Sequence, residues 1–299
     1  MVTTSFVSST DAGTQIRVSD FIKQPSLVQS VVAKMLDKQF IADALLRQVP
    51  GAPGGVVKFQ ESEPLFADGI EVIAEYGEIP VAKGADGVPQ AVFSVKGGGA
   101  LVISREMIRR NDIDAVNRRL KQIKNGMTKF WDDRFMSAIW AAAIPTYAVP
   151  LAWTDTTSNI PFDLAKSNEV AIGQVDGNGN EFNFAPDTLV VHPLRASAMT
   201  YNNAIQKFFQ GNAANDNPLY TGDTGREVQG FKLLKSYRMP LTKALLCERK
   251  TLGFISDEVA TETTPMYEQR ERQSHRSDTT RTSAVGIDAP KSAVILNGI

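Results

Sequence analysis

The sequence predicts an α+β fold organised around one very long helix, and three observations predict it. First, Ile113, Val116, Leu120, Ile123, Met127, Phe130, Trp131 and Ala138 recur at spacings of three and four, with a final longer step. That is the period of one helix face. Second, short alternating segments bounded by Gly and Pro, at residues 56–60, 71–76, 91–96 and 100–103, read as strands. Third, residues 188–247 read as strand, helix, strand, strand, which makes an α/β unit over about 150–255.

From the N-terminus, residues 1–19 are rich in Ser, Thr and Val with little apolar periodicity. An extended arm and a disordered terminus both fit them. Val28, Val31, Val32, Met35, Leu36, Ile41 and Leu45 predict short helices over 26–37 and 40–47. Pro50 to Gly55 is a strong breaker. The following two-stranded excursion has few core-forming residues and needs a neighbour to lie on, because an isolated hairpin is marginal in water. Its charge is lopsided: Glu61, Glu63, Asp68, Glu71, Glu75 and Glu78 stand against Lys58 and Lys83, net −4 over residues 54–83. Gly97, Gly98 and Gly99 lack the Gly-Lys-Ser/Thr ending of a phosphate loop and read as a flexible joint or bulge between two strands.

Ser104 is placed to cap a short helix with Glu106 in its first turn, and Asp112 to cap the long one. No proline interrupts the chain from there to Pro145. A helix over 112–143 is about 48 Å long at ~1.5 Å per residue, nearly three times the ~11–12 residue average. A rod of that length needs something elongated to pack on. Arg118, Gln122 and Lys129 lie opposite its apolar stripe, with Arg119 and Lys121 on the flanks. Arg134 breaks the stripe and must snorkel or find an anion. Asp132 and Asp133 are adjacent and so point apart, solvated or paired, with Lys129 spaced to meet Asp133. Residues 104–134 hold nine Arg/Lys and five Asp/Glu, a local +4. Two readings of that basic face stand side by side: a solvated helix surface, or a surface that meets acidic partners.

After Pro145 a helix is predicted over 162–172. Asp176 to Asn180 resembles the start of a calcium loop, but Glu181 stands where glycine is needed and Asp187 where glutamate is needed, so a turn is the better reading. Thr188 to Val191 is a buried strand, and His192-Pro193 opens a helix running towards Phe209. Residues 211–225 are a polar loop. Lys232 to Leu234 and Ala244 to Cys247 are strands, 266–276 is dense in charge, 279–287 alternates, and Ala293 to Leu296 ends the chain as an apolar strand.

Composition bounds the function. Net charge is −1 with 22% charged residues, which does not suit a dedicated nucleic-acid binder. One cysteine, Cys247, and two histidines, His192 and His275, leave no disulfide framework and no thiolate zinc site. No signal peptide and no apolar run of membrane-spanning length is present, so a soluble protein made in the cytoplasm is expected. No nucleophile elbow, Walker motif or dinucleotide fingerprint occurs, and no catalytic, cofactor or metal residue is predicted.

The ordered set of features resembles a family. Arm, helix and glycine-bounded hairpin precede Ile103-Ser104-Arg105-Glu106-Met107-Ile108-Arg109-Arg110 and the long helix. Then come Thr188-Leu189-Val190-Val191-His192-Pro193, Gly230 to Ser236, Met239-Pro240 and a closing charged strand. The chain resembles the major capsid proteins of tailed bacteriophages, with the Hong Kong 97-type fold, and within them those of phages infecting actinobacteria. The resemblance implies an N-terminal arm and helix at 1–48, an extended loop at 49–90, and a peripheral domain at 91–149 with the long helix as its spine. It implies an axial domain at 150–258, peripheral return strands at 259–288, and a C-terminal strand at 289–299 that rejoins the axial domain. It further implies pentamers and hexamers of the chain itself forming an icosahedral shell around double-stranded DNA, held non-specifically, in a virion assembled in the host cytoplasm. The implied partners are a portal protein, a separate scaffolding protein (no long helical segment precedes the arm) and, in some members, a decoration protein. No membrane and no cofactor is implied. Within that layout the acidic hairpin residues Glu61, Glu63, Glu71, Glu75 and Glu78 are expected to meet a neighbour's Arg105, Arg109, Arg110, Arg118, Arg270, Arg272, Arg276 and Arg281. An encapsulin-like compartment shell, another phage structural protein and a cytoplasmic α/β enzyme are the alternatives.

Overall fold

A computed structural model of the chain describes residues 18, 25–36, 39–51, 54–61, 72–73, 75–79, 81, 87–155, 157–176, 179–208 and 227–299. The predicted loop at 211–225 and nearly all of the predicted arm lie outside them.

Helix α1 (Pro25–Leu36) starts with proline and is followed by the short α2 (Ile41–Leu45). The sequence extends this second helix to residue 47. Instead the backbone turns extended at Leu46, and Arg47–Pro50 becomes strand β1, pairing in parallel with residues 254–257. The hairpin also differs from expectation. Strand β2 (Val56–Gln60) pairs antiparallel with β3 (Pro89–Phe93), not with residues 71–76. Of the latter, Val72, Ile73, Glu75 and Tyr76 are exposed and in no strand.

Strand β4 (Val95–Ser104) is continuous through all three glycines. Gly97 and Gly98 serve close packing rather than flexibility, whereas Gly99 faces open space. A Cβ on Gly97 would stand 2.4 Å from the Phe130 ring, and one on Gly98 would stand 2.6 Å from the Thr279 carbonyl oxygen. Ser104 then caps α3 (Arg105–Arg109), accepting from the Met107 N–H at 3.4 Å, and Asp112 caps α4 (Ile113–Ala141), accepting from the Ala115 N–H at 2.9 Å. Helix α4 has 29 residues, so it is about 43 Å long. Its buried face runs through Val116, Leu120, Met127, Trp131, Phe135, Met136 and Ile139. Arg134 therefore interrupts nothing: the stripe passes one position further on, through Phe135, and Arg134 is exposed.

The rest of the chain supplies β5 (Thr146–Ala148), α5 (Ile160–Ile172), β6 (Thr188–Val191), α6 (Pro193–Tyr201), α7 (Asn203–Phe208), β7 (Glu227–Val228), β8 (Phe231–Lys235) and β9 (Lys243–Cys247). Strands β10 (Phe254–Thr263), β11 (Tyr267–Gln269), β12 (Ser274–Gly286) and β13 (Ala293–Asn297) complete it. The helix predicted to run from Pro193 towards 209 breaks at Asn202. The Asn202 side chain accepts from the Ala204 N–H at 3.0 Å and donates to Ser158, so it caps α7. The calcium-like stretch is a turn: Asp176 accepts from the Asn180 N–H at 2.8 Å, and Val175 bridges Glu181. The charged run at 266–276 is not one strand. A 3-10 turn at Arg270–Arg272 reverses it, giving β11 and the start of β12.

Two main sheets result. In the first, β12 is central: β10 and β11 share one side of it, β4 pairs along the other, and β1 flanks β10. Helix α1 packs on the N-terminal half of α4, with Val28, Val32 and Met35 meeting Leu101, Ile103, Leu120 and Trp131. The second sheet has the order β5-β13-β9-β6-β8-β7. Both of its faces are covered, which explains its unbroken apolar strands. Val190, Leu245 and Ile295 face Phe135 and Ile139 of α4, whereas Leu189, Val191 and Leu246 face Leu164 of α5 and Met199 of α6. The C-terminal half of α4 thus joins the two sheets through one core.

Candidate assembly surface

The acidic half of the predicted surface lies on the excursion between β2 and β3. Glu75 and Glu78 are exposed, and Glu61 accepts from the Gln90 amide at 2.8 Å. Glu63 and Glu71 lie outside the described residues. On the same excursion the chain offers apolar side chains to solvent: Val72, Tyr76, Ile79 and Val81 are largely or fully exposed. Such a run in a folded chain marks a surface that another molecule covers.

The basic half divides. Arg105 N–H donates to the Gln273 carbonyl at 3.1 Å, which ties α3 to the tip of the β11–β12 hairpin. Arg105, Arg109, Arg110, Arg270 and Arg272 are therefore on one end of the first sheet, all exposed. Three glutamates stand among them. Glu268 accepts from Arg105 at 2.8 Å and lies 4.0 Å from Arg270. The Arg105 hydrogen bond holds its carboxyl below the usual range. Glu106 is held low as well, first by its backbone N–H contact, then by the Ser104 hydroxyl and by Arg109 and Arg110. Arg118 is exposed on α4, away from that end.

Two of the predicted residues are engaged within the chain. Arg276 donates to Asp278 at 2.6 Å, and the Tyr267 hydroxyl donates to the same carboxylate at 2.9 Å. Arg281 is a correction: it is only 2% exposed and is engaged within its own chain. Its Nε and Nη2 donate to Asp257 at 3.0 Å each, and its Nη1 and Nη2 donate to Asp43 at 3.3 and 2.8 Å. The guanidinium lies 4.9 Å from the centre of the Phe40 ring and 5.5 Å from that of Trp131. It joins α2, β10, β12 and α4. Asp43 lies 238 residues away, and no spacing in the sequence signals the pair.

Asp132 is a second residue that the sequence misplaces. It is buried, not solvated, and its Oδ1 accepts from the Ile41 N–H at 3.1 Å, capping α2. Burial pushes its carboxyl up to about 6. Asp133 meets Arg238 at 3.9 Å rather than Lys129. Cys247 is fully enclosed in β9, and desolvation pushes its thiol up to about 12, so it has no nucleophilic character. His192 Nδ1 accepts from the Leu194 N–H at 3.2 Å, a capping role. Among the described residues no cluster of three or more His, Cys, Asp and Glu is placed to hold a metal ion. No described helix is long and apolar enough to cross a membrane.

Residues 88–294 match the sequence model of a family described as phage capsid protein. No curated protein matches the chain. Its backbone is similar to that of several solved structures. The Gordonia phage Cozz structure is 12% identical, with TM-score 0.56, over 97% of this chain and 90% of that one. The capsid of the cyanophage P-SCSP1u is 13% identical, with TM-score 0.57, over 85% of each chain. The holo-SrpI encapsulin complex of Synechococcus elongatus PCC 7942 is 10% identical, with TM-score 0.53, over 89% of each. At such identities the likeness is one of fold.

Proposed function

The chain belongs to the phage capsid protein family, with the Hong Kong 97-type fold of tailed-phage major capsid proteins, and on that premise we propose how it builds its shell. Copies gather as pentamers and hexamers into an icosahedral head that encloses double-stranded DNA. The first sheet with α4 is the peripheral domain and α4 is its spine. The second sheet with α5 to α7 is the axial domain, to which β13 returns. The segment between β2 and β3 is the extended loop. The observation that carries this reading is the exposure of Val72, Tyr76, Ile79 and Val81 on that loop. Laid on a neighbour, they are covered. Glu61, Glu75 and Glu78, with Glu63 and Glu71, then face the neighbour's Arg105, Arg109, Arg110, Arg270 and Arg272, with Arg118 further along α4. Opposite charges of this kind set register more than affinity.

Electron microscopy of the purified full-length chain tests the proposal. Closed shells or capsomer-sized rings are expected, and a discrete monomer at assembly concentrations overturns it. The likeness to an encapsulin complex favours a second reading, a shell that encloses protein cargo. Nuclease-protected DNA in shells from infected cells decides for a genome container, and co-purified cargo protein without DNA decides for a compartment.

A further inference from the structure

Resting on the reading that the excursion between β2 and β3 lies on a neighbouring copy, we infer that Tyr76 is its anchor. The neighbour receives the Tyr76 ring in the groove between β4 and α4, over Gly99 and Gly126.

The groove is a cavity of about 800 Å³. Strand β4 and helix α4 run along it in opposite directions. Gly97 meets Phe130 at one end, and Leu101 and Ile103 share a core with Val116 and Leu120 towards the other. Gly99 stands two residues on from Gly97, and Gly126 one turn back from Phe130; both line the groove. A Cβ on either would meet nothing within 4 Å. Glycine weakens a helix relative to alanine, yet no contact among the described residues calls for it at Gly126. Two bare backbone walls leave room for a flat side chain brought from outside. Glycine inside a strand marks places where another group approaches closely, and an aromatic ring laid over it restores the missing cover. Ile123 and the exposed Phe130 add an apolar rim.

Tyr76 fits that space. Its side chain is 99% exposed. Its φ is 64°, a left-handed conformation that a bulky residue adopts at a cost. The strain is spent on presenting a ring to solvent, which gains the isolated chain nothing. Tyrosine is among the commonest interface anchors, because it is large, rigid and tipped with a hydroxyl. The charges agree as well. Glu75 precedes Tyr76 and Glu78 follows it. Lys96 and Arg119 line the groove, and no acid does. Arg119 donates to the Val102 carbonyl and keeps its positive charge. Val102 lies two residues before the Ser104 cap of α3, so the groove opens towards the basic end assigned above to the excursion.

The test uses the full-length chain. A copy carrying Y76C is mixed with a differently tagged copy carrying G126C, assembled, and oxidised with oxidised glutathione. Cys247 is too enclosed to compete. A disulfide between the two copies is expected, and none between Y76C and S197C, an exposed position on α6. Failure of the first pair to link, or equal yields from both pairs, overturns the proposal. A disulfide within a single unassembled Y76C/G126C subunit also overturns it, by seating the ring on its own chain. In a second arm, Y76A removes the ring and G126L fills the groove. Each is expected to raise the subunit concentration needed for assembly about tenfold or more, with a urea midpoint of the subunit no lower than wild type. Because both remove one contact, Y76A/G126L is expected to assemble no worse than the poorer single variant. Normal assembly of either variant, or fully additive losses, overturns the proposal. If wild-type shells form and no disulfide links the copies, the groove fails and the shell stands. If no shells form and the disulfide still links two copies, the contact stands and the shell reading fails.

Discussion

Replacing Arg281 by Met tests the largest departure of the structure from the sequence. The guanidinium makes four charge-assisted N–H···O contacts, two to each of Asp43 and Asp257, between 2.8 and 3.3 Å. Charge-assisted hydrogen bonds contribute about 1.5–3 kcal/mol each, so independent summation gives roughly 6–12 kcal/mol. That sum overshoots, because the two carboxylates are about a quarter exposed and can rehydrate. Breaking a buried ion pair by removing one partner costs about 3–5 kcal/mol. The lower half of that range is expected for R281M, since Met fills much of the volume between Phe40 and Trp131. Neutralising the stranded acids in R281M/D43N/D257N is expected to recover most of the loss. Ser283 keeps its acceptor in that variant, because Asn still offers the oxygen that Asp257 presents at 2.5 Å. Urea unfolding of the unassembled subunit measures both, with Trp131 beside the guanidinium as the fluorescent reporter. An R281M midpoint indistinguishable from wild type, or a triple variant no better than the single one, refutes the reasoning. An arginine that serves only a neighbouring subunit leaves subunit stability untouched.

Asp132, buried and pushed up to about 6, sits above the ordinary carboxylate value, so protonation favours the folded state. Subunit stability gains from this group as pH falls from above 6 towards 4. At pH 7–8, D132N is expected to be more stable by up to roughly 3 kcal/mol and to flatten that window; urea midpoints at pH 5 and pH 8 check it, and an unchanged pH dependence in D132N sinks it. Gly97→Val drives a methyl group into the Phe130 ring and is expected to cost about 1–3 kcal/mol in the same unfolding assay, partly recovered by F130L. E75K/E78K is expected to leave subunit stability unchanged and to reduce shell yield by electron microscopy, with recovery on adding R109E/R110E; normal yield at low and moderate salt contradicts the charge pairing. Cys247, enclosed in β9, is expected to resist thiol reagents in the native subunit and to react on unfolding in urea.

What the sequence made legible was local. The caps Ser104 and Asp112, the period of α4, the His192-Pro193 junction and the apolar strands around β6 and β9 each depend on residues within one or two turns of each other. What it hid was long-range. Strand β1 looks like the end of a helix until β10, more than 200 residues later, offers it an edge. Gly97 to Gly99 look like a hinge until Phe130 arrives over Gly97 and Thr279 over Gly98. Arg281 reads as one more surface arginine on an alternating strand. Its burial follows only from Asp43 and Asp257, whose positions are set by tertiary packing. The exposed arginines at the α3 end and the acidic excursion were legible as composition, but the pairing proposed for them belongs to an assembly that one chain does not contain.

Strand β13 sets a clock. It lies inside the second sheet, hydrogen-bonded to β5 on one side and β9 on the other, yet its residues, 293–297, follow both partners in the chain. During synthesis β9 therefore waits with an open edge until residues 293–297 have left the ribosome. The first sheet waits almost as long, because β4 pairs with β12, some 180 residues downstream. Contacts of such separation form slowly. A nascent chain thus cannot present a finished surface to its neighbours before β13 has emerged and paired.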